Sequence, residues 1–137
     1  MTRLVDPREW RLRTLRLRDE HQDIDRRCNE VVRLARMGDW RDLDVIWPAF
    51  CRELEDHMDF EESRLFPAFE AAAPHHAKTV RSLQADHLEF REDLEKLGVE
   101  IQLHCIRAER VEALARKVRE HAQVESETLY QWAEMNV

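Results

Sequence analysis

Interruptions to a helical pattern are scarce in this chain: 137 residues contain two glycines and four prolines amid abundant Leu, Arg, Glu and Ala. Few turns form without such residues, so the chain is restricted to a small number of long helices and an all-α fold. Its length suits one domain with a real core, and residues 1–137 are read as a single domain.

The breaks divide the chain into four apolar stripes. Asp6, Pro7 and Glu9 resemble a helix start, with Asp6 as cap and Glu9 reaching back, and the first helix is expected to run to Gly38. Its inward residues are Leu17, His21, Ile24, Cys28, Val31 and Ala35, in alternating steps of three and four. Asp39 can cap a second helix with the stripe Leu43, Ile46, Phe50, Leu54, His57, Glu61, Leu65 and Ala68; Pro48 inside it is expected to bend or restart it. After the break at Ala71 to Pro74, the third stripe is Val80, Leu83, His87, Phe90, Leu94, Leu97, Ile101 and His104. The fourth is Val111, Leu114, Val118, His121, Glu125, Thr128 and Trp132, starting somewhere in Ile106 to Arg110 without an evident cap.

Each stripe carries a histidine along its length, His21, His57, His87 and His121, the third stripe also ending on His104, and His57 and His121 are each followed one turn later by a glutamate, Glu61 and Glu125. Residues four apart share a helix face, so each pair projects inward together. In an up-down bundle, residues on successive helices lie level when the turn between them falls midway in sequence. The midway positions for the four groups fall near residues 40, 73 and 105. The first two coincide with Gly38-Asp39 and Pro74, and the third with the weakest helical segment. Four imidazoles and two carboxylates then occupy one layer of the interior, where buried polar groups need partners that cations would supply. Imidazole and carboxylate without thiolate suit iron, manganese or zinc, and two carboxylates able to span two cations favour a dinuclear site. Phe50, Leu54, Leu65, Phe90 and Ile24 are expected to keep bulk water away, and Glu53 and Asp25 are candidates to orient the imidazoles.

The order His21, then His57-Met58-Asp59-Phe60-Glu61-Glu62-Ser63-Arg64-Leu65-Phe66-Pro67, then His87, then His121-Ala122-Gln123-Val124-Glu125, resembles the hemerythrin-like, or HHE cation-binding, domain. The resemblance runs from about residue 10 to the end and leaves no room for an added sensor or output domain. It implies an antiparallel up-down four-helix bundle around a non-haem di-iron centre, with Glu61 and Glu125 bridging two iron ions and His21, His57, His87 and His121 capping them. Oxygen-carrying hemerythrins bring a further histidine from the third helix, one turn from the first. Here the positions one turn from His87 are Leu83 and Arg91. The resemblance therefore points to a four-histidine, two-carboxylate variety that binds or senses dioxygen, nitric oxide or peroxide, and it extends equally to di-iron redox enzymes.

Other classes are less well supported. A ferritin-like di-iron oxidase carries Glu-x-x-His, and no histidine here has Glu three positions earlier. The net charge of −7 argues against nucleic acid or an anionic membrane, and the run Arg11, Arg13, Arg16 and Arg18 reads as a solvated face. No apolar stretch is long enough to span a bilayer or to serve as a signal peptide, so a cytoplasmic location is expected. Cys28, Cys51 and Cys105 have no metal-binding spacing and are read as small buried groups. His75 and His76 are expected to be solvated, and His104 to close the end of the core. A metal-free helical interaction module, docking a protein partner or a second copy through aromatics such as Trp10, Trp40 and Tyr130 near the ends, is the remaining alternative.

Overall fold

The computed structural model describes residues 7–135. They form four antiparallel rods joined by short turns. α1 (Pro7–Met37) is the first rod, and α2 (Trp40–Phe60), a π-helical turn (Glu61–Leu65) and α3 (Phe66–Ala72) make the second. After a 3₁₀ turn (Pro74–His76), α4 (Ala77–Gln102) is the third. α5 (Ala108–Glu125), another π-helical turn (Ser126–Tyr130) and α6 (Gln131–Met135) complete the fourth. α1 packs on α2 and α5, and α4 on the same two, which closes the expected four-helix bundle around one interior.

The rods end for identifiable reasons. α1 stops in a Schellman turn in which Gly38 takes φ +66° while the Asp39 and Gly38 amides donate to the Leu34 and Ala35 carbonyls. Asp39 then caps α2 by accepting from the Asp42 N–H at 3.1 Å. The expected cap of α1, Asp6, lies outside the described residues, but Pro7 does open that helix. α2 continues through Pro48 without the restart that proline suggested. Pro48 and Asp44 both lie on the exposed face, where water can satisfy the carbonyl that the proline leaves unpaired.

The turn with no evident breaker repeats the first one. The Cys105 and His104 amides donate to the Glu100 and Ile101 carbonyls, and His104 holds the left-handed position at φ 53°. His104 is thus exposed and does not close the core as expected; its ring stacks on Trp40 at 5.1 Å. Cys105, next to it, is exposed as well, whereas Cys28 is buried.

Inside, an apolar cluster lies on each side of the histidine layer. Toward the Gly38 end it includes Ile24, Phe50, Leu54, Phe90, Leu97 and Leu114. Gly98 belongs to that end for a packing reason: a Cβ there would stand 3.3 Å from the Trp47 indole nitrogen. Toward the Pro74 end the cluster includes Leu17, Leu65, Phe66, Leu83, Leu129 and Tyr130. Trp10 is buried there and Trp40 half-buried, so neither is the free aromatic that the sequence suggested.

Beyond Glu61 and Glu125 the inward register departs from the expected stripes. Phe66, Phe69, Tyr130 and Ala133 are buried, whereas Ala68, Thr128 and Trp132 are only half-buried. Residue i+5 lies about 140° around an α-helix from residue i. The i→i+5 bonding of a π turn, seen in the Phe66 amide donating to the Glu61 carbonyl, swings residue i+5 back toward the same face.

The left-handed residue at the third turn yields a test. Replacing His104 with Val, whose branched side chain tolerates φ > 0 poorly, is expected to lower stability by about 1–3 kcal/mol in urea unfolding, while Gly retains it. Equal losses with Val and Gly would show that the Trp40 stack, not the backbone, holds the turn.

Candidate metal centre

The six residues singled out by pattern converge on one point. Glu61 and Glu125 are fully buried, and His57, His87 and His121 nearly so, while His21 is half-buried. The donor atoms fall into two overlapping groups, His21, His57, Glu61 and Glu125 in one and Glu61, His87, His121 and Glu125 in the other, with atoms within 4.8 Å of one another in each. Both glutamates belong to both groups. Glu61 turns one oxygen to His57 Nε2 at 3.4 Å and the other to His87 Nε2 at 3.2 Å. Glu125 Oε1 lies 3.3 Å from His21 Nε2 and 3.1 Å from His121 Nε2. Within each group the imidazoles face each other through Nε2, at 2.8 Å for His21 and His57 and 3.1 Å for His87 and His121.

These spacings suit cations. Donors about 2.1 Å from a common ion and at right angles lie about 3.0 Å apart. The carboxylates also want more than the protein gives them. Glu61 Oε1 and both oxygens of Glu125 are buried without a hydrogen-bond partner, because the nearby ring nitrogens are close but poorly aligned. A buried carboxylate left this way is destabilising, and a divalent ion would compensate it.

Charge in the metal-free cluster is distributed unevenly. Burial and the neighbouring His57 push His21 down to about 3. Burial also opposes charge on His57 and His121, but Glu61 and Glu20 raise the former to about 10, and Glu125 and Asp86 raise the latter to about 9. Glu61 stays well below the usual carboxylate range despite burial, because the neighbouring His57 favours its ionised form. Burial and the Glu61 charge push Glu125 up to about 8.

The imidazoles are aimed by carboxylates other than those expected. His57 Nδ1 pairs with Glu20 at 2.7 Å, His121 Nδ1 with Asp86 at 2.9 Å and His87 Nδ1 with Glu62 at 3.1 Å. Glu53 instead meets Arg27, and Asp25 meets Arg119, because both point to neighbouring rods at the surface. A signal for the true partners was available: Glu20 and Asp86 immediately precede His21 and His87. The residue next to a ligand on one helix reaches the histidine of its neighbour. Arg91 holds Glu62 at 2.6 Å and also meets Glu55 and Asp59. Leu83 is buried in the apolar cluster, so neither position one turn from His87 adds an imidazole.

One residue in the cluster was missed. Tyr130, expected to be an exposed aromatic, is fully buried and donates its hydroxyl to Glu61 Oε2 at 2.6 Å. Burial and the two glutamates push its phenol well above the ordinary range. The π turn places it here, and an unbroken 3.6 period hides it. On the opposite side of the layer, His21, Ile24, Leu54, His57, Met58, His87, Phe90, Val118, His121 and Glu125 enclose a void of about 10 Å³. Ile24, Leu54 and Phe90 shield it as expected, while Phe50 and Leu65 are buried elsewhere in the two clusters. His75, His76 and His104 lie outside this centre.

Metals bind only deprotonated donors, yet His57, His121 and Glu125 hold protons near neutral pH in the metal-free state. Zinc added to the metal-free protein in lightly buffered neutral solution is therefore expected to acidify it, with uptake strengthening as pH rises. An unchanged pH at saturation would contradict this distribution of charge.

Among the described residues no helix is long and apolar enough to cross a membrane. Compared with known proteins, the chain matches the hemerythrin HHE cation binding domain over residues 14–133. Neither a curated protein nor a solved structure matches it. Fold, histidine order and family match agree: this chain belongs to the hemerythrin HHE cation-binding domain family.

Proposed function

We propose that the chain is a non-haem di-iron protein that binds or senses a small ligand, namely dioxygen, nitric oxide or peroxide. His21 and His57 hold one ion, His87 and His121 hold the other, and Glu61 and Glu125 bridge them. The observation that carries this reading is the sharing of both glutamates between two four-donor groups. One ion would leave half of the imidazoles unused, whereas two use every donor. Manganese or zinc would satisfy the same donors, and iron is preferred on the resemblance to hemerythrins.

When bound, the iron pair supplies open positions and electrons for a small ligand. The protein supplies the rest. Glu20, Asp86 and Glu62 fix the orientation of three imidazoles through Nδ1, leaving Nε2 for the ion. Ile24, Leu54, Met58, Phe90 and Val118 line the void beside the donors and exclude bulk water. At about 10 Å³ that void is far too small for an organic substrate. A di-iron redox enzyme acting on peroxide or nitric oxide is the alternative that the same donors would serve. A metal-free interaction module is disfavoured by the unpaired carboxylate oxygens, which serve no purpose in a purely structural core.

Anaerobic loading with ferrous iron is expected to give two ions per chain and a higher melting temperature, since ions that bind only the folded cluster stabilise it. Nitric oxide should then perturb the visible spectrum. Replacing Glu61 and Glu125 together with Ala should cut the content below one ion; retention of two would reject the bridging assignment. Asp86→Ala, which removes only an orienting partner, should weaken metal affinity by about 10–100-fold with the bundle intact.

A further inference from the structure

The second and fourth rods contain the same local arrangement twice. His57, Glu61, Leu65 and Phe66 correspond to His121, Glu125, Leu129 and Tyr130, and a π-helical turn follows the glutamate in each copy. The rods between them follow suit, because Glu20-His21 and Asp86-His87 play matching parts. Even the aromatic rings correspond. Phe66 packs on His87 with centroids 5.3 Å apart and a 30° interplanar angle, and Tyr130 on His21 at 5.2 Å and 33°.

The two halves differ at the aromatic ring. A phenyl group suffices for packing on the imidazole, as Phe66 demonstrates, so the hydroxyl of Tyr130 is the added feature. That oxygen is aimed at the donors of one group only: it lies 2.6 Å from Glu61 Oε2, 2.9 Å from His21 Nε2 and 3.4 Å from His57 Nε2. These are three of the four residues in that group, approached through the atoms by which they face one another. The separations match those among the donors themselves, such as 2.8 Å between His21 and His57 and 3.4 Å between His57 and Glu61. Arg18 covers the outer face of the phenol ring, 5.4 Å from its centroid, and brings positive charge to it.

We propose that Tyr130 Oη is a seventh protein ligand, bound as phenolate to the ion held by His21 and His57, so that the two metal positions are chemically unequal. The proposal rests on the di-metal reading above. The O–Fe bond replaces the O–H bond, and the proton passes to solvent, as protons displaced from metal ligands do. Tyr130 approaches from the cluster toward Pro74, whereas Ile24, Leu54, Met58 and Phe90 place the void on the other side of the layer. The phenolate therefore occupies a position on one ion without filling the small-ligand pocket. The His87 and His121 position, with Phe66 in the equivalent place, would have no such protein ligand.

Tyr130 is the only tyrosine in the chain, which makes the test unambiguous. Wild type and Tyr130→Phe are loaded anaerobically with ferrous iron, oxidised with ferricyanide, assayed for iron and examined by visible absorption and resonance Raman spectroscopy. A phenolate-to-iron charge-transfer band with tyrosinate ring vibrations in wild type, absent from Tyr130→Phe at an unchanged two irons per chain, is the expected result. Two irons in wild type without that signature, or the same band in the variant, would overturn the phenolate ligand while leaving the di-iron reading in place. Wild type that takes up no iron would overturn both. The wild-type Raman spectrum decides the matter alone if the variant fails to fold.

Discussion

Two carboxylates buried to zero exposure between apolar clusters set the terms for the rest of this bundle. An ionised carboxylate inside a low-dielectric core is tolerated only beside positive charge or several donors. Four imidazoles supply part of that compensation, and their second nitrogens are in turn held by Glu20, Asp86 and Glu62. Three oxygens of the central pair nevertheless remain without hydrogen bonds. The layer is thus assembled for cations: its geometry is complete, but its electrostatics are not until positive charge is added.

The donors are held in place whether or not that charge is present. The apolar clusters on either side fix the height and orientation of the donors, and the outer carboxylates anchor three rings to neighbouring rods. Arg91 extends this support outward by holding Glu62 against His87 from the surface. The donor layer itself is shielded on one side by a void of about 10 Å³ and on the other by the ring of Tyr130.

The twofold repetition of the His-Glu unit gives a nearly symmetric centre, which departs from symmetry at particular residues. Phe66 and Tyr130 occupy matching positions with almost the same ring packing, yet only one brings an oxygen to the donors. Glu62 has Ser126 as its counterpart, so the carboxylate that orients His87 is not repeated beside His21. Both differences fall on the same half, where a hydroxyl inside the layer stands in for a carboxylate outside it.

Much of this arrangement follows from local rules. Gly38, Asp39 and Pro74 mark two turns, and the spacing of His21, His57, His87 and His121 about those turns puts them level, because helical rise is constant along each rod. The inward face of each histidine and glutamate is likewise set by a period of 3.6 residues up to Glu61 and Glu125. Beyond those two residues the period is no guide. The π turns advance the chain by one residue and bring Phe66 and Tyr130 inward, which no repeat read along one helix can reveal. The third turn was similarly hidden because His104 adopts a backbone conformation usually given to glycine and is held there against Trp40. Glu20 and Asp86 orient histidines on other rods, so their roles depend on which helices become neighbours. Local periodicity and chain breaks are enough to set the four helices, two of their three turns and the six donors at one height. How those donors are aimed, what shields them and the phenol beside them depend instead on contacts between rods and on two turns wider than an α-helix.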